Sequence, residues 1–152
     1  MERPDPDVIL ARVKAEDNHR GKLKIFFGMA PGVGKTYAML QEARQRQNEG
    51  FRVLVGVVCT HGRAETQVLL EGLEQVPLRQ VDYRGIRLEE MDIDEILKRH
   101  PQLVLVDELA HTNAPGSRHP KRYQAVSSMR HPHPCTGFYM CIPLHYACTI
   151  DV

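Results

Sequence analysis

Apolar residues fall into a few distinct runs. Leu23-Lys24-Ile25-Phe26-Phe27 is β-prone and closes at Gly28. Val53 to Val58 is apolar without alternation, interrupted only by Gly56, and Leu103-Val104-Leu105-Val106 is a second run of this kind. Such runs predict strands buried on both faces, as in a parallel sheet. Arg79 to Tyr83 alternates weakly and predicts a further short strand. Between the runs, apolar positions recur at helical spacing. The spacing predicts a short first helix, with Asp5 as N-cap, Pro6 at the first position, and Ile9, Leu10 and Val13 on one face. Residues 35–49 are good helix formers, with Gly50 placed as a C-terminal stop. A second long helix is predicted from about Arg63 to Gln75 on the spacing of Leu69, Leu70 and Leu73. A third starts at Asp92, whose partner three residues on is Glu95, and ends in Lys98-Arg99-His100 before Pro101. Strand, helix, strand, helix, helix, strand predicts an α/β domain with a mainly parallel sheet flanked by helices.

Composition changes that picture in one place. The chain has 152 residues and a formal net charge of +1, from 20 basic and 19 acidic side chains. One domain is the expected count. The balance excludes a strongly basic nucleic-acid binder and an acidic tail protein. No apolar run approaches the ~18 residues of a membrane span, and the start has no apolar signal segment. The expectation is a cytoplasmic domain. After Gln124, however, only Arg130 and Asp151 carry charge, while Cys135, Cys141 and Cys148 supply three of the four cysteines. The expectation is a domain over residues 3–124 and an atypical tail over 125–152, foreign to the fold or poorly ordered. Three prolines and no evident periodicity argue against a regular element there. His131, His133, Cys135, Cys141, His145 and Cys148 are metal-ligand types, but their spacing does not match zinc knuckles.

The chemistry concentrates in Gly28-Met29-Ala30-Pro31-Gly32-Val33-Gly34-Lys35-Thr36, which leaves a strand and opens a helix. That context and the Gly-x-Gly-Lys-Thr core predict a phosphate-binding loop. Glycines let backbone N–H groups converge on phosphate oxygens, and the helix N-terminus adds more donors. The candidate cradle is Gly28, Pro31, Gly32, Val33, Gly34, Lys35, Thr36 and Tyr37. Lys35 is expected on the β- and γ-phosphates and the Thr36 hydroxyl on Mg²⁺. The strict pattern places a glycine where Met29 stands; here the glycine is one position earlier, at Gly28. The run ending in Asp107-Glu108 fits a Walker B strand, with Asp107 on Mg²⁺ and Glu108 able to polarise a water. Lys35 and Glu108 are the candidate catalytic pair. The motifs predict a phosphate-binding P-loop with Mg²⁺ as its metal, and a P-loop NTPase-like fold is the architecture. The segment 109–123 reads as a polar loop with three cations, Arg118, Lys121 and Arg122.

Taken in order, these pieces resemble the N-terminal cytoplasmic domain of the KdpD family, the potassium-responsive, osmosensitive sensor histidine kinases of bacteria. The resemblance is carried by Arg20 to Gly28, Gly32 to Thr36, Thr60-His61-Gly62-Arg63, Leu70-Glu71-Gly72-Leu73, and above all Asp107 to Arg122. It covers residues 3–124. It implies an ATP-binding regulatory domain of a two-component sensor kinase controlling potassium uptake. It also implies as partners the other domains of a membrane-anchored kinase and, through them, a response regulator. The matching positions are Gly32, Gly34, Lys35 and Thr36 for phosphate and metal, and Asp107 for metal. On the same resemblance Cys59 stands where the family has glutamate, and the sheet is expected to be truncated on its C-terminal side. The alternatives are a free-standing P-loop ATPase or small-molecule kinase, although no arginine-rich lid is evident, and an interaction module without nucleotide.

Overall fold

Leu23–Gly28 (β1), Val53–Val57 (β2), Glu74–Gln75 (β3), Leu103–Val106 (β6) and Gly137–Pro143 (β7) pair side by side in one sheet, in the order β1-β7-β6-β2-β3. Every pairing in it is parallel. The computed structural model describes residues 6–18, 22–28, 34–130 and 137–143. Two further strands, Arg79–Tyr83 (β4) and Ile86–Glu90 (β5), form a separate antiparallel hairpin. The helices are Pro6–Asn18 (α1), Lys35–Asn48 (α2), Ala64–Leu70 (α3), Ile93–Lys98 (α4) and Arg122–Arg130 (α5).

The central strands are buried on both faces, which explains their unbroken apolar runs. Leu54, Val104, Val106 and Phe138 point to one face, where they pack with Ile96 of α4 and Ala125, Val126 and Met129 of α5. Val53, Val55, Leu103, Leu105 and Tyr139 point to the other, against Met39, Leu40 and Ala43 of α2 and Leu70 of α3. This division follows from connection handedness. β1 to β2 and β2 to β3 run one way across the sheet, and β3 to β6 and β6 to β7 run back. Right-handed crossovers in opposite directions place their helices on opposite faces. Gly56 is needed for contact: a Cβ there would sit 3.1 Å from both Ile96 Cδ1 and Met91 Sδ. The β2–β6 register shifts at that residue.

Several expectations meet a different structure. The predicted helix to Gln75 stops at Leu70, because the chain turns at Gly72 (φ +82°) and Glu74–Gln75 pairs as an edge strand against Leu54 and Val55. The hairpin partner β5 was not foreseen. It follows a tight turn in which Arg84 and Gly85 both have positive φ, 49° and 79°, as a two-residue type I′ connection requires. The stretch after Gln124 was expected to lack regular elements. Instead α5 runs across that boundary, and β7 lies between β1 and β6. Asp5, His131, His133, Cys135, His145 and Cys148 lie outside the described residues, and so do Pro31, Gly32 and Val33 of the glycine-rich loop. No helix among the described residues is long and apolar enough to cross a membrane.

Candidate functional site

All five parallel strands point the same way, so their carboxyl ends share one edge of the sheet. Open α/β sheets bind ligands at that edge. β1 ends there at Gly28, whose register partner is Pro143. Gly34 (φ +88°) then caps α2, and Lys35, Thr36 and Tyr37 form its first turn. The φ value accounts for glycine at position 34, since a side chain would be strained there although nothing lies within 4 Å of a Cβ. Tyr37 is 40% exposed and points away from the core.

β6 delivers Asp107 to the same edge, and the two halves of the predicted site meet. The Thr36 hydroxyl donates to Asp107 Oδ2 at 3.1 Å across 71 residues of chain. Cys59, just past β2, donates its backbone N–H to the same oxygen at 3.3 Å, and the Glu108 N–H donates to Oδ1 at 2.8 Å. Asp107 is 6% exposed. Burial raises its pKa, and the charge of Glu108 adds to this; the three hydrogen bonds pull the other way without cancelling it. The Thr36 and Asp107 oxygens form a hard donor pair of the kind Mg²⁺ takes, and a cation there would relieve the buried negative charge.

The strand end is braced from behind by a charged cluster that the sequence did not reveal. Arg122, 3% exposed at the start of α5, donates from Nη1 to the carbonyl oxygens of Asp107 (3.1 Å) and Glu108 (3.4 Å). Its Nη2 lies 3.7 Å from Glu90 Oε2 of β5. Glu90, 7% exposed, also accepts from the Ala114 N–H at 2.8 Å and meets His111 Nε2 at 3.0 Å. Burial lowers the Arg122 pKa, opposed by the carboxylates of Glu90, Glu108 and Asp107. Arg122 was read as one of three loop cations. The other two do differ from it: Arg118 pairs with Asp94 at the surface, and Lys121 bonds Thr112. Glu108 sits in the left-handed region at φ +49°, with its side chain 51% exposed.

Comparison with known proteins decides the lineage. The family model described as the KdpD osmosensitive K⁺ channel His kinase sensor domain matches residues 19–132. The chain belongs to the KdpD sensor-domain family. The match runs past Gln124 and takes in all of α5. A sensor protein KdpD of Escherichia coli K12 is 54% identical over 127 residues, covering 84% of this chain and 14% of that relative. One from Mycobacterium tuberculosis is 59% identical over 110 residues, 72% of this chain and 13% of the relative. A putative sensor protein KdpD of Synechocystis is 61% identical over 109 residues, 72% of this chain and 30% of the relative. The chain thus spans a small part of the KdpD proteins it matches.

Proposed function

We propose that this KdpD-family domain binds MgATP at the carboxyl edge of its sheet and so regulates the sensor histidine kinase that carries it. The observation that supports this best is the Thr36–Asp107 contact of 3.1 Å, because it joins the helix start after β1 to the acid after β6. In this reading the backbone donors of Gly34 and the first turn of α2 hold phosphate oxygens, as helix N-termini do. Gly28, Pro31, Gly32 and Val33 complete the loop, with Tyr37 at its margin. The Lys35 ammonium carries charge to the β- and γ-phosphates. Thr36 and Asp107 would hold Mg²⁺, which when bound neutralises phosphate charge. Arg122 keeps Asp107 and Glu108 in register through their own carbonyls. The protein acts on the cytoplasmic side, through the remaining kinase domains and a response regulator, to adjust potassium uptake.

Calorimetry with MgATP on the wild type and Lys35→Ala tests the reading. Loss of a charge-assisted contact of about 1.5–3 kcal/mol corresponds to roughly tenfold weaker binding or more. Equal affinity in the two proteins removes Lys35 from the site. A second reading, ATP hydrolysis at the same place, is favoured by the half-exposed Glu108 carboxylate beside Asp107. It predicts steady turnover of ATP alone that disappears in Glu108→Gln.

A further inference from the structure

We propose that Cys59, His61 and Glu108 form a binding site for a zinc-type transition-metal ion, at the rim of the strand edge and distinct from the Thr36–Asp107 pair. Among the described residues this is the one group of three potential ligands whose donor atoms all lie within 4.8 Å of one another. Cys59 Sγ and His61 Nδ1 are 3.5 Å apart. With Zn–S of about 2.3 Å and Zn–N of about 2.0–2.1 Å, a tetrahedral ion sets its sulfur and nitrogen ligands about 3.6 Å apart. The pair is therefore already at metal-binding separation. The Glu108 carboxylate oxygen lies within 4.8 Å of both donors, and its side chain, 51% exposed, has room to close on an ion held between them.

The backbone holds these donors in place by unusual means. Thr60 O accepts from the Arg63 N–H at 3.1 Å across a turn whose central residues, His61 and Gly62, have φ of 51° and 71°. Positive φ at both central positions is the type I′ pattern, which suits Gly but costs energy at His. That turn folds the His61 ring back onto Cys59. Glu108, at φ +49°, is a second non-glycine residue in the left-handed region. Cys59 is tied to the neighbouring acid through its N–H to Asp107, so its thiol does not drift from the strand edge.

Donor chemistry selects the ion. A thiolate and an imidazole favour Zn²⁺ and its relatives over Mg²⁺, whereas the Thr36–Asp107 oxygens favour Mg²⁺. Binding forms Zn–S, Zn–N and Zn–O bonds, releases the Cys59 thiol proton to solvent, and leaves a fourth position for water. Glu108 engaged in this way is withdrawn from polarising a water at the adjacent edge. The site does not depend on nucleotide binding.

The test uses the full chain without nucleotide, titrated with Zn²⁺ by calorimetry and with Co²⁺ by its thiolate charge-transfer absorption. Because the chain has other cysteines and histidines, the readout is the difference between wild type and variants. Cys59→Ser is expected to lose one metal equivalent and its share of the thiolate band. His61→Ala, at an exposed position, is expected to weaken that equivalent by about tenfold or more, since even outer-shell partners of metal ligands contribute 10- to 100-fold. Thermal melts confirm folding, and His61→Ala carries the test if Cys59→Ser does not fold. Wild-type stoichiometry and affinity in His61→Ala, or an undiminished thiolate band in a folded Cys59→Ser, overturns the proposal.

Discussion

Replacing Phe138 by alanine asks whether β7 belongs to the core that holds the site. The ring is 1% exposed and packs among Leu54, Val104, Val106, Val126 and Met129, with Leu23 and Ile25 at the margin. Transfer of a buried Phe side chain accounts for about 1.5–3 kcal/mol. The cavity adds to this, and Phe→Ala changes in cores cost about 3–5 kcal/mol in total. The lining here comes from neighbouring strands of a hydrogen-bonded sheet and from a helix, so collapse into the space is limited and the upper half of that range applies. At about 2–4 °C per kcal/mol for a chain of this size, Tm falls by roughly 10–15 °C. Urea unfolding is the primary assay, with the loss read from the midpoint at constant slope. Phe27→Ala is the matched control. That ring is 53% exposed on β1, and its removal is expected to cost under about 1 kcal/mol. A Phe138→Ala cost no larger than that of Phe27→Ala refutes the placement of β7 inside the sheet.

Other perturbations probe the surroundings of the site. Arg122→Ala leaves Glu90 buried without its cation and frees the carbonyls of Asp107 and Glu108, so a loss of about 3–5 kcal/mol is expected in urea unfolding; a change under about 1 kcal/mol would show that the cluster is not closed. Asp92 caps α4 by accepting from the Glu95 N–H at 3.0 Å, and Asp92→Ala is expected to cost about 1 kcal/mol in the same assay, whereas Asp94→Ala, which leaves the cap intact, should cost less. Glu42 gives a pH signature: burial raises its pKa, but hydrogen bonds from Lys24 (2.6 Å) and Tyr139 (2.7 Å) and the charges of Lys24 and Arg46 bring it below the ordinary 4.5. A lowered folded-state pKa contributes stability that is present above 4.5 and lost as pH falls through the folded value. The stability gap between wild type and Glu42→Gln should therefore narrow on acidification, and a gap constant from neutral pH to below pH 4 would be the contrary result.

Legibility in the sequence followed the physics of burial. β2 and β6 were readable because burial on both faces demands apolar residues at every position, and an unbroken run is easy to see. β5, Ile86–Glu90, was not readable because it pairs only with β4 and most of its residues are exposed. Its one deeply buried member is a glutamate, which no hydrophobic pattern flags. α3 was read too long because Leu73 keeps helical spacing yet is buried from a turn, beyond a glycine at positive φ. Thr36 and Asp107 were each singled out from the chemistry of their own motif. What brings residues 71 apart into contact is sheet order, which neither motif contains.

α5 shows why the stretch after Gln124 misled. Its buried positions are Arg122, Ala125, Val126 and Met129, which is the i, i+3, i+4, i+7 stripe of an amphipathic helix. The first member is a charged residue, so a search for apolar recurrence begins one turn too late and finds too short a pattern. Arginine at that position is acceptable only because Glu90 and two strand-end carbonyls meet it inside the protein. Those partners are 14 or more residues upstream in sequence, one on β5 and two just past the end of β6. The same long-range contacts that hid the helix also hold Asp107 and Glu108 at the sheet edge. The least legible helix is thus one whose first residue braces the candidate site from behind.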